Sequence, residues 1–403
     1  MNEESGFRSG SNFKWVGKST PRPDGVDKVT GRARYGDDLI MQGMLHAKIL
    51  RSPHAHARIV SIDTSKAAAM KGVKAVLTSE DIPDHPLAKP PYPPIVNDFH
   101  DISRNVMARE KVLYDGHAVA AVAATSEAIA REAIKLIEVE YEVLPHVLDP
   151  KEAAEAGAPI LHDDQFTDGA DPADGPSNVF RVLGGERGDL DRGFADADLI
   201  VEREFASEPV HQGYIEPMAC LATTSEDGAV ELWTSTQGHW VARGLICNVL
   251  NLEMAKLRVT ASEIGGGFGG KTTIYAEPVC IRLSQKTGRP VRIALTRSEV
   301  FRATGPTCGS RSRVKIGVKK DGTIVAGDAE IWYQAGAFKG SPAGRAVDTF
   351  FSPYNIPHMA TKAYDVCVNR PKVAAYRAPG APMATFGAEL VLNEIAQKLG
   401  MDP

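Results

Sequence analysis

The sequence predicts a mixed α+β protein of two domains. Three observations carry that expectation. Short apolar or alternating runs of strand character are interleaved with segments of helical period. The 403 residues allow about two or three domains at roughly 150 residues each. A stretch rich in Asp, Gly and Pro divides the chain after its first third.

Residues 1–20 are polar and read as a flexible arm, with no apolar core of a secretion signal. A first domain is expected over 21–150. Within it, 44–49, 57–62 and 73–77 read as strands and 65–71 as a short helix. Six prolines between Pro83 and Pro94 exclude helix or central strand and demand an exposed loop. Residues 119–123 read as a buried strand. Ser126 then caps a helix from 127 to about 137, where Ala128, Ile129, Ala133 and Ile137 recur near the 3.6 period. Residues 139–144 are again strand-like. Residues 151–178, with Asp163, Asp164, Asp168, Asp171, Asp174 and three prolines, leave little to bury and read as a linker. The second domain, 179–403, holds strand-like LIVEREF, VELWTST, KLRVTA, PVRIALT, RVKIGV and TIVAGDAEIWY. Lys320-Asp321-Gly322 signals a tight hairpin. Helices are expected at 239–249, 274–286 and 386–399.

Composition narrows the function. With 43% hydrophobic and 24% charged residues the chain belongs among soluble globular proteins. A net charge of −5 gives no basic field for nucleic acid. The longest apolar run, 118–124, is too short for a bilayer. Five cysteines, no two closer than 27 residues, exclude a local zinc or iron–sulfur motif and fit reduced thiols in the cytoplasm.

The most informative stretch is Gly265-Gly266-Gly267-Phe268-Gly269-Gly270-Lys271-Thr272. Its glycines let the backbone approach a ligand and present N–H groups to an anion. The octamer also satisfies the phosphate-loop pattern G-x-x-x-x-G-K-[ST]. The context does not follow, because the next strong strand ends in Thr296-Arg297 and offers no Asp for Mg²⁺. A nucleotide-binding loop therefore stands as an alternative reading, with a purely structural turn as the bland one.

Further motifs join this loop. VDKVTGRARYGDD at 26–38, RSPHAHARI at 51–59, WTSTQ at 233–237, GGGFGGK at 265–271 and AYRAPGAPMATF at 375–386 together resemble the molybdenum-binding subunit of the xanthine dehydrogenase/aldehyde oxidase family. The resemblance implies an a/b hammerhead domain followed by the first molybdopterin-cofactor-binding domain. It implies that Gln237 donates to the apical oxo group of molybdenum and that Gly267, Phe268, Gly269 and Gly270 line the cofactor. The Gly269 N–H is expected to reach a pterin or oxo acceptor. Arg377 is placed beside the metal, and Arg345, 32 residues earlier, near substrate. The metal takes no direct protein ligand. Two positions depart from the purine-oxidising pattern: Thr272 replaces a substrate-binding glutamate, and Pro379 replaces a ring-stacking aromatic. The N-terminal wording is similar to that of 4-hydroxybenzoyl-CoA reductase and related bacterial groups.

The resemblance further implies a general-base glutamate in a G-x-G-E-P setting, within a second cofactor domain. No such motif occurs here, so no catalytic residue is assigned in this chain. That domain is expected either in a second polypeptide, as in split nicotinate dehydrogenase, or in a missing C-terminal half. Iron–sulfur and FAD subunits are the implied electron-transfer partners, and the cytosine dinucleotide the implied cofactor form. A non-catalytic assembly module is the remaining alternative. His211 and Glu216 in HQGYIEPMA are read as shaping the pocket wall, His54 and His56 as a packing or subunit-contact pair, and Trp233 and Trp240 as core or rim aromatics.

Overall fold

The computed structural model describes residues 14, 15, 17–88, 98–169 and 174–403. The expected arm up to residue 13, the later half of the proline run, and Asp171 and Pro172 lie outside the described residues.

In chain order the strands are β1 Leu45–Arg51, β2 Ala57–Asp63, β3 Val73–Leu77, β4 Lys111–Val112, β5 Ala118–Ala124 and β6 Glu138–Val143. They continue as β7 Val179–Arg187, β8 Leu199–Ser207, β9 Ala219–Thr224, β10 Val230–Thr234, β11 Leu257–Ala261 and β12 Val291–Ala294. The last are β13 Ser310–Val318, β14 Ile324–Gly336 and β15 His358–Cys367. They form a seven-stranded sheet β11-β10-β9-β12-β1-β5-β3, a five-stranded sheet β7-β15-β14-β13-β8 and a three-stranded sheet β4-β2-β6.

The seven-stranded sheet crosses the expected boundary between the two halves. Strand β1 pairs in parallel with β12, Leu45 opposite Val291, and antiparallel with β5. Strand β5 reads AVAAVAA and is buried at every position. Its small side chains let covering elements approach closely, and both faces belong to hydrophobic cores. The helix Glu277–Thr287 lies on this sheet and buries Val279, Cys280, Ile281 and Leu283. The helix Ala381–Leu399 covers the five-stranded sheet, where Gly387 meets Phe205 and Val314.

The segment 151–178 is not bare linker. It starts on a helical turn, Pro150–Ala153. Asn178 ties it together by accepting from the Leu161 N–H and donating to the carbonyls of Ala153 and Pro159. His54 and His56 fall in the turn before β2, not on a strand. His54 packs edge-on against Tyr141, and His56 bonds the Pro145 carbonyl.

Candidate cofactor site

Parallel neighbours β10 and β11 end on the same side of the sheet. Gln237 follows the first and the glycine loop follows the second. This places both at the carboxyl end of a sheet, where α/β proteins open their binding crevices.

Gln237 is the clamp of the loop. Its Oε1 accepts the N–H of Gly269 at 2.8 Å and of Lys271 at 3.2 Å. Two donors converging on one atom identify that atom as the oxygen. The Nε2 group is left with two N–H bonds and no partner among the described residues. The expected role for the Gly269 N–H is thereby corrected: it is committed to Gln237, and that of Gly270 to the Gly267 carbonyl. The N–H groups of Gly266, Gly267 and Phe268 are the ones without a partner among the described residues.

The glycines are there because their neighbours leave no room. A Cβ on Gly267 falls 2.5 Å from Gln237 Oε1, and one on Gly270 falls 2.8 Å from Gln212 Cδ. Gly269 has φ +104°, and a Cβ there meets the Ala375 carbonyl at 2.7 Å. Phe268 adopts φ +52°, costly for an aromatic residue, and holds its ring 51% exposed on the rim. Its carbonyl accepts the Arg377 N–H at 2.9 Å. The loop carrying Arg377 is itself unusual, with φ +60° at Ala378. Gln212 ties this loop down from below by donating Nε2 to the Ala375 carbonyl at 2.9 Å. No local motif hints at that link, which spans 163 residues.

Gln237, Gly267, Phe268, Gly269, Gly270 and Arg377 are thus brought together. The Arg377 guanidinium is exposed and has no partner among the described residues. Arg345 lies close by, its Cβ 3.1 Å from where a Cβ on Gly380 would stand. Its guanidinium is largely exposed, 3.9 Å from Asp348. Thr272 closes its own turn, donating Oγ1 to the Gly269 carbonyl at 2.7 Å.

The phosphate-loop alternative fails on geometry. Lys271 points into the protein instead of toward the open side of the loop. It is fully buried, with Nζ 2.7 Å from Glu216 Oε2, 3.1 Å from the Glu216 carbonyl, and over the Tyr214 ring. Burial lowers its pKa and Glu216 opposes that shift. Glu216 also accepts the N–H groups of Gly265 and Gly36. The following helix starts only at Glu277, so its N-terminus does not adjoin the loop. Neither Glu216 nor His211 lines the cavity behind the loops; both are structural, Glu216 bracing the loop from beneath and His211 bonding Thr304 Oγ1 through Nε2 at 2.8 Å, with burial, aided by Arg297, pushing the His211 pKa down to about 4. Trp240 is a rim residue, 68% exposed.

Behind the loops lies a cavity of about 250 Å³. One wall is Thr272 to Tyr275, directly after the glycine loop, and another is Lys372 to Ala375, directly before Arg377. Phe338, Lys339, Asp98 and Asp101 close it. Neither Arg345 nor Pro379 lines it, whereas Thr272 does. Asp98, His100 and Asp101 bring ligand atoms within 4.8 Å of one another. The cation they hold is Lys339, with Nζ 2.6 Å from Asp98 and 2.9 Å from Asp101.

A pterin cofactor fits this arrangement as far as one side of it is concerned. The fixed Gln237 amide, the open N–H groups of Gly266 to Phe268, the Phe268 ring and Arg377 lie on two clamped loops. Extra side-chain atoms on Gly267, Gly269 or Gly270 would collide with Gln237, the Ala375 carbonyl or Gln212 and push the two loops apart. The arrangement offers N–H donors, an aromatic ring and a guanidinium to a polar, partly anionic group.

Comparison with known proteins agrees. Residues 172–403 match the molybdopterin cofactor-binding domain, and residues 30–145 the a/b hammerhead domain of aldehyde oxidase and xanthine dehydrogenase. The chain belongs to the xanthine dehydrogenase/aldehyde oxidase family of molybdopterin-binding oxidoreductase subunits. It is 32% identical to the nicotinate dehydrogenase large molybdopterin subunit of Eubacterium barkeri, over 98% of this chain and 88% of that one. It is 31% identical to the xanthine dehydrogenase molybdenum-binding subunit of Escherichia coli, over 95% of this chain and 50% of that one. Among solved structures, the aldehyde oxidoreductase of Desulfovibrio gigas superposes with a TM-score of 0.83 at 29% identity, covering 95% of this chain and 42% of that one. Quinoline 2-oxidoreductase of Pseudomonas putida gives 0.83 at 28%, covering 96% and 49%. The chain therefore spans about half the length of several relatives it matches.

Proposed function

We propose that this chain supplies one side of the molybdopterin site in an oxidoreductase acting on an aromatic N-heterocycle, an aldehyde or an aromatic thioester. The observation that carries the reading is Gln237. Its oxygen is consumed by the loop it clamps, and its amide donor is left facing outward beside Phe268 and Arg377. A neutral donor can bind an oxo ligand without adding charge. When bound, the molybdenum–pterin group supplies the two-electron redox chemistry. The chain's residues position it: Gln237 by its N–H bonds, Gly266 to Phe268 by backbone amides, Phe268 as an apolar lid against water. The Arg377 guanidinium stabilises negative charge that develops nearby.

The remaining machinery lies elsewhere in this proposal. The general-base glutamate belongs to a second cofactor domain, in the same or another polypeptide, and electrons leave through iron–sulfur and FAD subunits. The cytosine dinucleotide form of the cofactor and a cytoplasmic setting complete it. All five cysteines are free and buried, and no described helix is long and apolar enough to cross a membrane. The relatives' names, nicotinate dehydrogenase and quinoline 2-oxidoreductase among them, support a heterocyclic substrate.

The test is metal and pterin analysis of the complex purified from its native source. Stoichiometric molybdenum and pterin, with no Mg²⁺-ATP binding, are expected. A complex lacking both would leave only the non-catalytic assembly role.

A further inference from the structure

Strands β10, β11 and β12 point one way, and β9, between β10 and β12, points the other. The carboxyl ends of those three strands and the start of β9 therefore lie along one edge of the sheet. Four segments meet there: Gln237 after β10, the glycine loop after β11, the helix Arg297–Ala303 after β12, and the turn 211–216 before β9. The cofactor loops thus share their edge with a surface that cofactor binding does not use.

That surface is apolar. Ile215 is 89% exposed, and Val210 and Phe301 are about half exposed. The side chains touch in series. Phe301 packs edge-on against His211 with ring centroids 5.1 Å apart, and His211 lies 5.2 Å from the Tyr214 ring. A Cβ on Gly266 would stand 3.3 Å from both the Tyr214 side chain and the Phe268 ring, so the patch runs onto the rim of the glycine loop. Ile215 is also rigidly presented. Tyr214 before it is buried, with its hydroxyl bonded to Thr304. Glu216 after it is tied to Gly265 and Lys271. Arg297 donates to the carbonyls of Tyr214 and Ile215. An isoleucine held outward by fixed neighbours is preorganised for a partner, because little freedom remains to be lost on docking. Contiguous exposed apolar surface of this kind marks an interaction site.

Charge and position narrow the occupant. Arg297 meets no carboxylate within ion-pair distance among the described residues, and neither does Arg377 beside Phe268. A second copy of this chain would bring a like-charged fringe against this one. The fit is to an apolar surface with an acid at its margin. A body that completes the cofactor site from its open side must in addition reach this edge of the sheet.

We infer that Val210, Ile215, Phe268 and Phe301 seat the second cofactor domain, with Ile215 buried against it and a carboxylate of that domain opposite Arg297. The inference rests on the proposed function for the existence of that domain, and adds which face of this chain receives it. Ile215 is the anchor, since it offers the most apolar surface at the least cost in ordering.

The experiment is photo-crosslinking in the intact complex purified from its native source, with a benzophenone amino acid at position 215. The crosslinked peptides are expected to map to the domain carrying G-x-G-E-P, whether that domain lies in this polypeptide or another. Crosslinks to an iron–sulfur or FAD subunit, to a second copy of this chain, or to nothing would overturn the inference. A second measurement uses substitution. Ile215→Asp should lower the thermal midpoint of the complex by several degrees, and Ile215→Leu should retain it. An unchanged midpoint in Ile215→Asp would count equally against the interface, because this side chain packs on little within its own chain. Pterin content of the same samples separates this outcome from the cofactor reading. Crosslinks to the second domain in a pterin-free complex sink the cofactor assignment and leave the interface standing. Full pterin with crosslinks elsewhere does the reverse.

Discussion

At the scale of single residues the site turns on an amide with two ends. Gln237→Glu retains an oxygen for the N–H groups of Gly269 and Lys271 but replaces the outward donor by an acceptor. The loop should persist, with the melting temperature little changed, while molybdenum content of the complex falls at least tenfold. Gln237→Leu removes both ends. It orphans two backbone donors, at about 1–3 kcal/mol each where they are buried, and should lower the melting temperature as well. Equal metal content in the Glu variant and the parent would contradict the assignment. The residue type and position of Gln237 are legible in WTSTQ; its grip on the loop is not, because the acceptor and its donors lie 32 and 34 residues apart. Lys339 carries no local signature at all. What marks it is the pair of acids that fold against it, and both come from the other half of the chain.

At the scale of elements, two glycines make a paired prediction. Gly269→Ala drives a Cβ into the Ala375 carbonyl at φ +104°. Backbone cannot yield as a side chain can, so the two loops should separate and pterin retention should be lost. Gly244→Ala, in the helix His239–Leu250, meets nothing within 4 Å. It should stabilise by roughly 0.5–1 kcal/mol, the entropy a helical glycine costs. Thermal midpoints of the two variants should move in opposite directions; a shared direction refutes the packing argument. Legibility varies by element for physical reasons. The β13–β14 hairpin follows from Asp321-Gly322, whose turn it contains, and β5 from seven consecutive apolar residues. The last helix reads from sequence as 386–399 but starts at Ala381, because Pro382 sits in the first turn, where its missing N–H has no role. Strands β7, β9 and β15 escape the sequence pattern. The outer end of β7 is polar and exposed, and β9 and β15 take their stability from neighbours instead of from alternation.

At the scale of the whole molecule, buried histidines set the response to acid. His117 is fully buried between donors and acceptors that fit one neutral form: the Leu113 N–H points at Nδ1, and Nε2 donates to the Arg104 carbonyl. Burial, with help from the Arg51 charge, pushes its pKa down to about 4. A depressed histidine favours folding above its unfolded value near 6.5 and loses that contribution as pH falls toward 4. The loss is on the order of 3 kcal/mol across that window. Melting temperatures of the parent should therefore fall faster than those of His117→Gln between pH 7 and pH 4.5. Parallel curves would show that this side chain is not the sensor.

The parallel pairing of β1 with β12 has a consequence for how the protein is made. The two strands are joined across 246 residues, as the Lys48 to Ala294 contact measures. At roughly 5–20 residues per second on a ribosome, β1 waits on the order of ten seconds or more for its neighbour. Throughout that interval one of its edges is open and sticky. A nascent chain in that condition needs guarding, so limiting a trigger-type chaperone during translation should deplete this polypeptide before it depletes proteins whose sheets close locally.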